Sequence, residues 1–303
     1  MKFIRKCQLA IEVDPVHTTG NDPGQSDGSN NLVIPPQFTI DFEITRQNWG
    51  SSQHATFRVY NLGPKTRNRL YKDPYALTEY RAVQFRAGYE DDISLPLCFN
   101  GYVSSATSYR VGRDVITEIT CYDGGQVMAN GFISQTMASG LSVQQILKTL
   151  ANALPRAAGS PIIGSFTSVS SRGKVLFGNI WNLILQESGN LATIDNGQVK
   201  ILNYNEAIDA EIPLIDASSG LLGSPKRSAT SLDFDMILEP RLTMGQIVQL
   251  QSVVNPLFNG TYKVQGFTHR GTISPAVAGD AITSVKLFIG TSELQIIQAN
   301  VVQ

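Results

Sequence analysis

The stretch PLCFNGYV, Pro96–Val103, returns in altered form as PLFNGTYKV at Pro256–Val264. Its surroundings return with it. Upstream of each copy stands a Val-Gln pair followed by Phe or Leu, at Val83–Phe85 and Val248–Leu250. Downstream come Thr-Ser-Tyr-Arg or Thr-His-Arg, a glycine, and an Asp-x-Ile-Thr that leads a strand-like run at Asp114 and Asp280. The spacing drifts by a few residues, as loop insertions would make it. An internal repeat decides the fold, so it is weighed before any single element. The alternative is that Asn-Gly pairs make hairpins and β-proteins reuse them.

Working outward, residues 1–125 read as strands with one short helix. Phe3, Cys7, Leu9, Ile11 and Val13 alternate, as do Phe38, Ile40, Phe42 and Ile44, and His54–Leu62 repeats the pattern. Pro64–Lys72 reads as one or two helical turns opened by proline, whose missing N–H costs nothing there. Asp14–Pro36 is a long polar loop of the kind that is either functional or disordered. The middle changes period. Leu141–Leu154 carries a helical stripe, with Ser142 and Gln145 spaced as a capping box. Asn179–Gly189 is a second helix with Asn179 as N-cap and Gly189 as stop. Asn196-Gly197 then joins two β-like runs as a tight hairpin. Ala217–Ser231 reads as a linker, after which strands return.

The chain has 303 residues, enough for two or three domains. Only 16% of them are charged, against about a quarter in ordinary proteins, while 42% are apolar. That balance argues against disorder and suits either a surface covered by other copies or a weakly charged monomer. A net charge of −1 without a basic run is not a nucleic-acid-binding balance. No run of eighteen apolar residues occurs, and the apolar run Leu9–Ile11 is too short for a signal peptide. Cys7, Cys98 and Cys121 are unclustered, which fits synthesis in a reducing cytoplasm.

Catalytic patterns are missing. Gly159–Gly164 is not a nucleophile elbow, and His17, His54 and His269 are scattered. Gly20–Asn30 gathers carboxylates and glycines but lacks the spacing and closing Glu of a calcium loop. Glu90-Asp91-Asp92 reads as a solvated turn, because adjacent residues point apart. Tyr122–Gly131 matches no dinucleotide fingerprint. We expect no enzyme, metal or cofactor.

In order along the chain, FRVYNLGPKTRNRL (Phe57–Leu70), VQFRAGYE (Val83–Glu90), LCFNGYV (Leu97–Val103), GLSVQQILKTLA (Gly140–Ala151), VLFGNIWNLILQESGNLATIDNGQVKIL (Val175–Leu202) and the closing segments ILEPRLTMGQIVQLQS and NGTYKVQGFTHRGT resemble bacteriophage baseplate hub proteins of the late control protein D kind. The positions that carry the likeness are Asn61, Leu62, Gly88, Tyr89, Phe99, Gly101, Pro240, Arg241, Gly245, Asn259, Gly260, His269 and Gly271. Val264 completes the last of these patterns. The resemblance covers most of residues 40–290.

The resemblance implies a mainly β fold with an α/β insert: two tail-tube-like β-barrel modules flanking a small helix-helix-hairpin domain. The expected divisions are 1–125, 126–216, 217–291 and a tail, 292–303. It implies a trimeric hub that presents six modules, joins the tail tube to the central spike and lines a channel. Partners would be the chain itself, the tail tube protein, the spike, other baseplate or wedge proteins and the tape-measure protein, in a virion assembled in the host bacterial cytoplasm. No specific nucleic-acid binding and no membrane insertion are expected. Contact residues between subunits are expected in the long loop, at His17, Asn21, Asp22, Asn30 and Asn31, and in the tail, at Ile296, Ile297, Val301 and Val302. The rivals are a sixfold distal-tail or tube-adaptor ring, and a cell-wall hydrolase or carbohydrate-binding β-protein. An aromatic share of 8% with only Trp49 and Trp181 offers little surface for stacking sugars.

Overall fold

A computed structural model describes residues 4–13, 31–35, 37–47, 49–76, 79–155, 157–209, 213–276, 279–290 and 293–298. The first part holds β1 (Arg5–Glu12), β2 (Asn31–Ile34), β3 (Ile40–Arg46), β4 (Gln53–Tyr60), α1 (Pro64–Leu70), β5 (Ala82–Tyr89), β6 (Leu97–Val111) and β7 (Asp114–Asp123). Alternation sets which face is buried. Ile40, Phe42 and Ile44 of β3 point inward with Ala55, Phe57 and Val59 of β4. Phe42, Phe57, Phe85 and Phe99 meet in the core, with ring centroids 5.1, 4.9 and 6.0 Å apart along the chain of contacts. Each such ring contributes roughly 1.5–3 kcal/mol by leaving water. α1 starts at Pro64, as the sequence suggests, and buries Leu70.

The middle adds α2 (Gly125–Asn130), β8 (Phe132–Met137), α3 (Val143–Asn152), β9 (Ile162–Ile163), β10 (Lys174–Asn179), α4 (Ile180–Ser188), β11 (Ala192–Asp195), β12 (Gln198–Ile201) and β13 (Glu206–Asp209). Ser142 and Gln145 form the expected reciprocal capping box. Asn179 caps α4 by accepting from the Asn182 N–H, and Gly189 ends it at φ 69°. β11 and β12 pair as a hairpin around Asn196 and Gly197, at φ 52° and 81°. The helix-helix-hairpin expectation omitted α2 and the antiparallel pair β8–β10. α2 is a six-residue helix entered from a left-handed glycine, Gly124, with no side-chain cap to announce it.

The last part holds β14 (Leu214–Ile215), β15 (Leu221–Arg227), β16 (Ser231–Ile237), β17 (Ile247–Leu250), β18 (Gly260–Ile273), β19 (Ala281–Phe288) and β20 (Gln295–Gln298). The segment read as a linker, Ala217–Ser231, is thus largely strand. β15 pairs with β16 through a bulge between Leu222 and Lys226. Its glycine, serine and proline are bulge residues of an edge strand, where proline is tolerated.

The echo is a repeat of topology. The first array runs β3-β4-β7-β6-β5-β1, and the last runs β15-β16-β19-β18-β17-β14. Pairing registers align the two. β6 bulges against β7 between Val103 and Ser105, and β18 bulges against β19 between Val264 and Gly266. Counting from those bulges sets Asp114–Thr117 in step with Asp280–Thr283, and Val83–Phe85 in step with Val248–Leu250. The literal Phe-Asn-Gly is two residues out of step, one full β period, so the inward face is kept. Neither Asn-Gly of the echo makes a hairpin. Asn100 and Gly101 lie inside β6, and Asn259 precedes β18. The outermost strands differ, since β1 runs antiparallel to β5 while β14 runs parallel to β17.

Candidate assembly joint

The two arrays meet edge to edge. The far half of β18 pairs antiparallel with β3, from Phe267 opposite Arg46 to Ile273 opposite Ile40. β18 therefore serves both arrays, with its near half on β17 and its far half on β3. Gly271 lies between Phe42 of β3 and Ala281 of β19, and a Cβ there would collide with the backbone of Asp280 and Ala281. Two further ties cross the joint. The Tyr89 hydroxyl donates to the Leu238 carbonyl at 2.8 Å, and Arg241 pairs with Asp92 at 2.6 Å. Asp92 also accepts from the Tyr89 N–H at 2.7 Å. The acidic triplet is therefore not wholly a solvated turn, because its last carboxylate is turned inward onto Arg241.

Beneath the joint lies a buried polar cluster that sequence reading missed. Arg46 ends β3 and is fully enclosed. Its Nη1 donates to Asp123 at 2.8 Å and lies 2.6 Å from Asp195, an ion pair without hydrogen-bond alignment. Its Nη2 donates to the Asn196 side chain at 2.6 Å. Lys200 reaches the other oxygen of Asp195 at 2.7 Å, and the Met244 N–H donates to that oxygen at 3.0 Å. The N–H groups of Asn196 and Gly197 donate to Asp123 at 2.5 and 2.9 Å. Two buried cations face two buried anions, so their formal charges cancel, which offsets part of the cost of burying them. The tip of the β11–β12 hairpin thereby locks the middle unit to the ends of β3 and β7 and to the loop before β17. Burial would raise the Asp195 carboxyl, but Lys200 and Arg46 hold it at about 2. Burial lowers Lys200, with Asp195 opposing. The signal in the sequence was Arg46 on the inward parity of β3 and Lys200 inside an otherwise closed hairpin strand.

The motif positions fall into this frame. Asn61 takes φ 58° and closes β4 onto β7, accepting from the Val115 N–H and donating to Asp114, both at 2.9 Å. Leu62, Tyr89 and Phe99 are core residues. Gly88 packs against Asp92, and Gly101 against the Tyr122 carbonyl, with no room for a Cβ. Gly245, at φ 80° behind Pro240 and Arg241, passes close to Leu202 and accepts from the Ile208 N–H at 2.8 Å. Asn259 accepts from the Ser252 N–H at 2.6 Å, just ahead of Gly260. His269 is buried, 2.8 Å from the Thr283 hydroxyl.

Of the expected contact residues, His17, Asn21, Asp22, Asn30, Val301 and Val302 lie outside the described residues. Asn31 is exposed at the start of β2. Ile296 and Ile297 lie in β20, which pairs parallel with β13 of the same chain. Ile297 packs toward Ile162, Leu202 and Ile208, while Ile296 is exposed. His54 is exposed on β4. Among the described residues no group of three or more His, Cys, Asp or Glu is placed to hold a metal ion. No helix among them is long and apolar enough to cross a membrane.

The sequence model of baseplate hub gp41 matches residues 24–270. The chain belongs to that family. Among curated protein sequences none matches it. In fold, the hub is similar to the tail protein from Neisseria meningitidis MC58, at TM-score 0.57 and 8% identity over 95% of this chain and 97% of that one. It is similar to the 43 kDa tail protein of prophage MuSo2 from Shewanella oneidensis, at TM-score 0.56 and 7% identity over 93% and 96%. An E. coli component of the type VI secretion system, described as similar to the T4 tail proteins gp27 and gp5, matches at TM-score 0.56 and 8% identity over 85% and 75%. At such identities the likeness concerns the fold. The family supplies the role, a structural protein of the phage tail baseplate.

Proposed function

We propose that three copies of this hub close into a ring of six similar arrays, which joins the sixfold tail tube to a threefold spike and lines the channel between them. The observation that carries this reading is the repeated strand order, with the two arrays already joined edge to edge inside one chain. A joint that links unlike edges is head-to-tail, and repetition of such a joint ends only in a ring or a filament. Residues 1–125 and 217–291 are the two ring modules, 126–216 the outlying middle unit, and 292–303 a tail whose exposed Ile296 reaches a neighbour. The scarcity of charge fits a surface largely given over to contact, and a channel wall without basic excess lets DNA pass. Tail tube, spike, wedge and tape-measure proteins are the partners in this reading, which holds no catalytic step. The test is the mass of the purified assembly in native mass spectrometry. Three copies are expected. Six copies would make the chain an adaptor ring, and a monomer at every concentration would defeat the reading.

A further inference from the structure

The joint inside the chain is a template for the joint between chains. In the first array, the positions that correspond by register to the far half of β18 are Ala106–Val111 of β6. Ala106 is satisfied there by Lys72, each N–H bonding the other's carbonyl at 3.0 Å. Beyond it, Thr107–Val111 are exposed, and no described strand pairs with their second side. By alternation from Ala106, the backbone groups of Ser108 and Arg110 face that open side. In the last array the counterpart of β3 is β15, which ends the sheet. Hydrogen bonds from Ile237 to Gly220 at 2.9 Å and from Ser228 to Ser231 at 2.8 Å set its parity, so Leu221 and Arg227 face outward.

We propose that β15 of one copy adds antiparallel to the far half of β6 in the next, with Ser108 opposite Arg227, Tyr109 opposite Lys226 and Val111 opposite Leu222. This rests on the ring reading and names the edges it uses. Side chains support the register. Val111 and Leu222 are 54% and 41% exposed, large apolar residues that would cover each other. Tyr109 leans on Glu118 at 3.3 Å, which places a carboxylate near the incoming Lys226. The bulge around Pro225 falls opposite Arg110, where proline offers no donor. A strand with a donor gap at one point pairs poorly in slipped registers, which protects the edge from indiscriminate addition.

The test is a chain carrying both Tyr109→Cys and Lys226→Cys, oxidised after purification. The three native cysteines are buried and do not compete. Disulfide-linked dimers and trimers are expected on denaturing gels, and the pair Arg110→Cys with Lys226→Cys, one residue out of step, should give none. Val111→Glu lies on an exposed strand end, so it should keep the far-UV circular dichroism of the parent while shifting the native mass to one copy. A native mass of three copies with no 109–226 crosslink, or with Val111→Glu still assembling, would overturn this joint and leave the ring standing. A parent chain that is monomeric throughout would overturn both.

Discussion

Arg46 ties three parts of the architecture together. It holds Asp123 of β7, Asp195 and Asn196 of the hairpin tip and the Cys98 carbonyl of β6, all away from the surface. Removing one member of such a set leaves an uncompensated buried charge. Arg46→Met should therefore cost about 3–5 kcal/mol in urea denaturation. His269 gives a second residue-scale expectation. Burial, with Arg46 adding to it, pushes its imidazole down to about 3 from an ordinary 6.5. The unfolded chain binds a proton there below 6.5 and the folded chain does not until near 3. Stability is then full above 6.5 and falls as pH drops through that window, by about 1.4 kcal/mol per pH unit. Asp195 acts lower down. Its carboxyl is held at about 2 against an ordinary 3.8, so its contribution is present above 3.8 and lost toward 2. Between pH 6 and 4 His269→Leu should thus lower the slope by about 1.4 kcal/mol per pH unit, as read from urea midpoints. Thr283 keeps a partner in that variant, the Glu239 N–H at 3.0 Å. Only the inward parity of Arg46 was legible in the sequence, and not the partners that enclose it. A scattered histidine and an arginine on a strand carry no spacing that reveals what encloses them.

At the scale of elements, local chemistry spoke clearly. The capping box at Ser142, the N-cap at Asn179 and the stop at Gly189 are decided by neighbours three or four residues away, and each formed as expected. The Asn196-Gly197 turn was equally plain, since two successive positive φ angles narrow the choice to such pairs. Its burial was not plain. Asn196 serves as turn residue and as ligand of Arg46 and of the Asn100 N–H, at 2.6 and 3.0 Å. Asn196→Ala should cost about 2–3 kcal/mol in thermal unfolding, from orphaned buried donors and from a left-handed backbone that alanine resists. The same substitution in a solvated hairpin would cost less than half of that. Ala217–Ser231 shows the converse. Its Gly, Ser and Pro signalled a loop because local composition cannot distinguish a linker from a bulged edge strand. Only the partner strand β16 makes the difference.

For the whole molecule, the repeat was the legible part. Val-Gln and Asp-x-Ile-Thr kept their register across the two arrays, because both sit in central strands where a slip would turn every core residue outward. The joint between arrays left no such mark. Edge residues answer to whatever lies opposite, and β3 meets β18 across more than two hundred positions of chain. The mass of the assembly and the 109–226 crosslink test the two levels of the reading separately. Whole-chain unfolding should follow one transition, with β3 and β18 protected together in hydrogen exchange, because neither array is complete without the other. Two separated transitions would show that the shared strand does not couple them.

The shared strand also bears on synthesis. β3 leaves the ribosome long before its partner Phe267–Ile273 exists. At usual elongation rates of about 5–20 residues per second, that interval lasts on the order of 10–40 s. Throughout it the nascent chain displays a bare, apolar-backed border, the kind of edge that invites pairing with other chains.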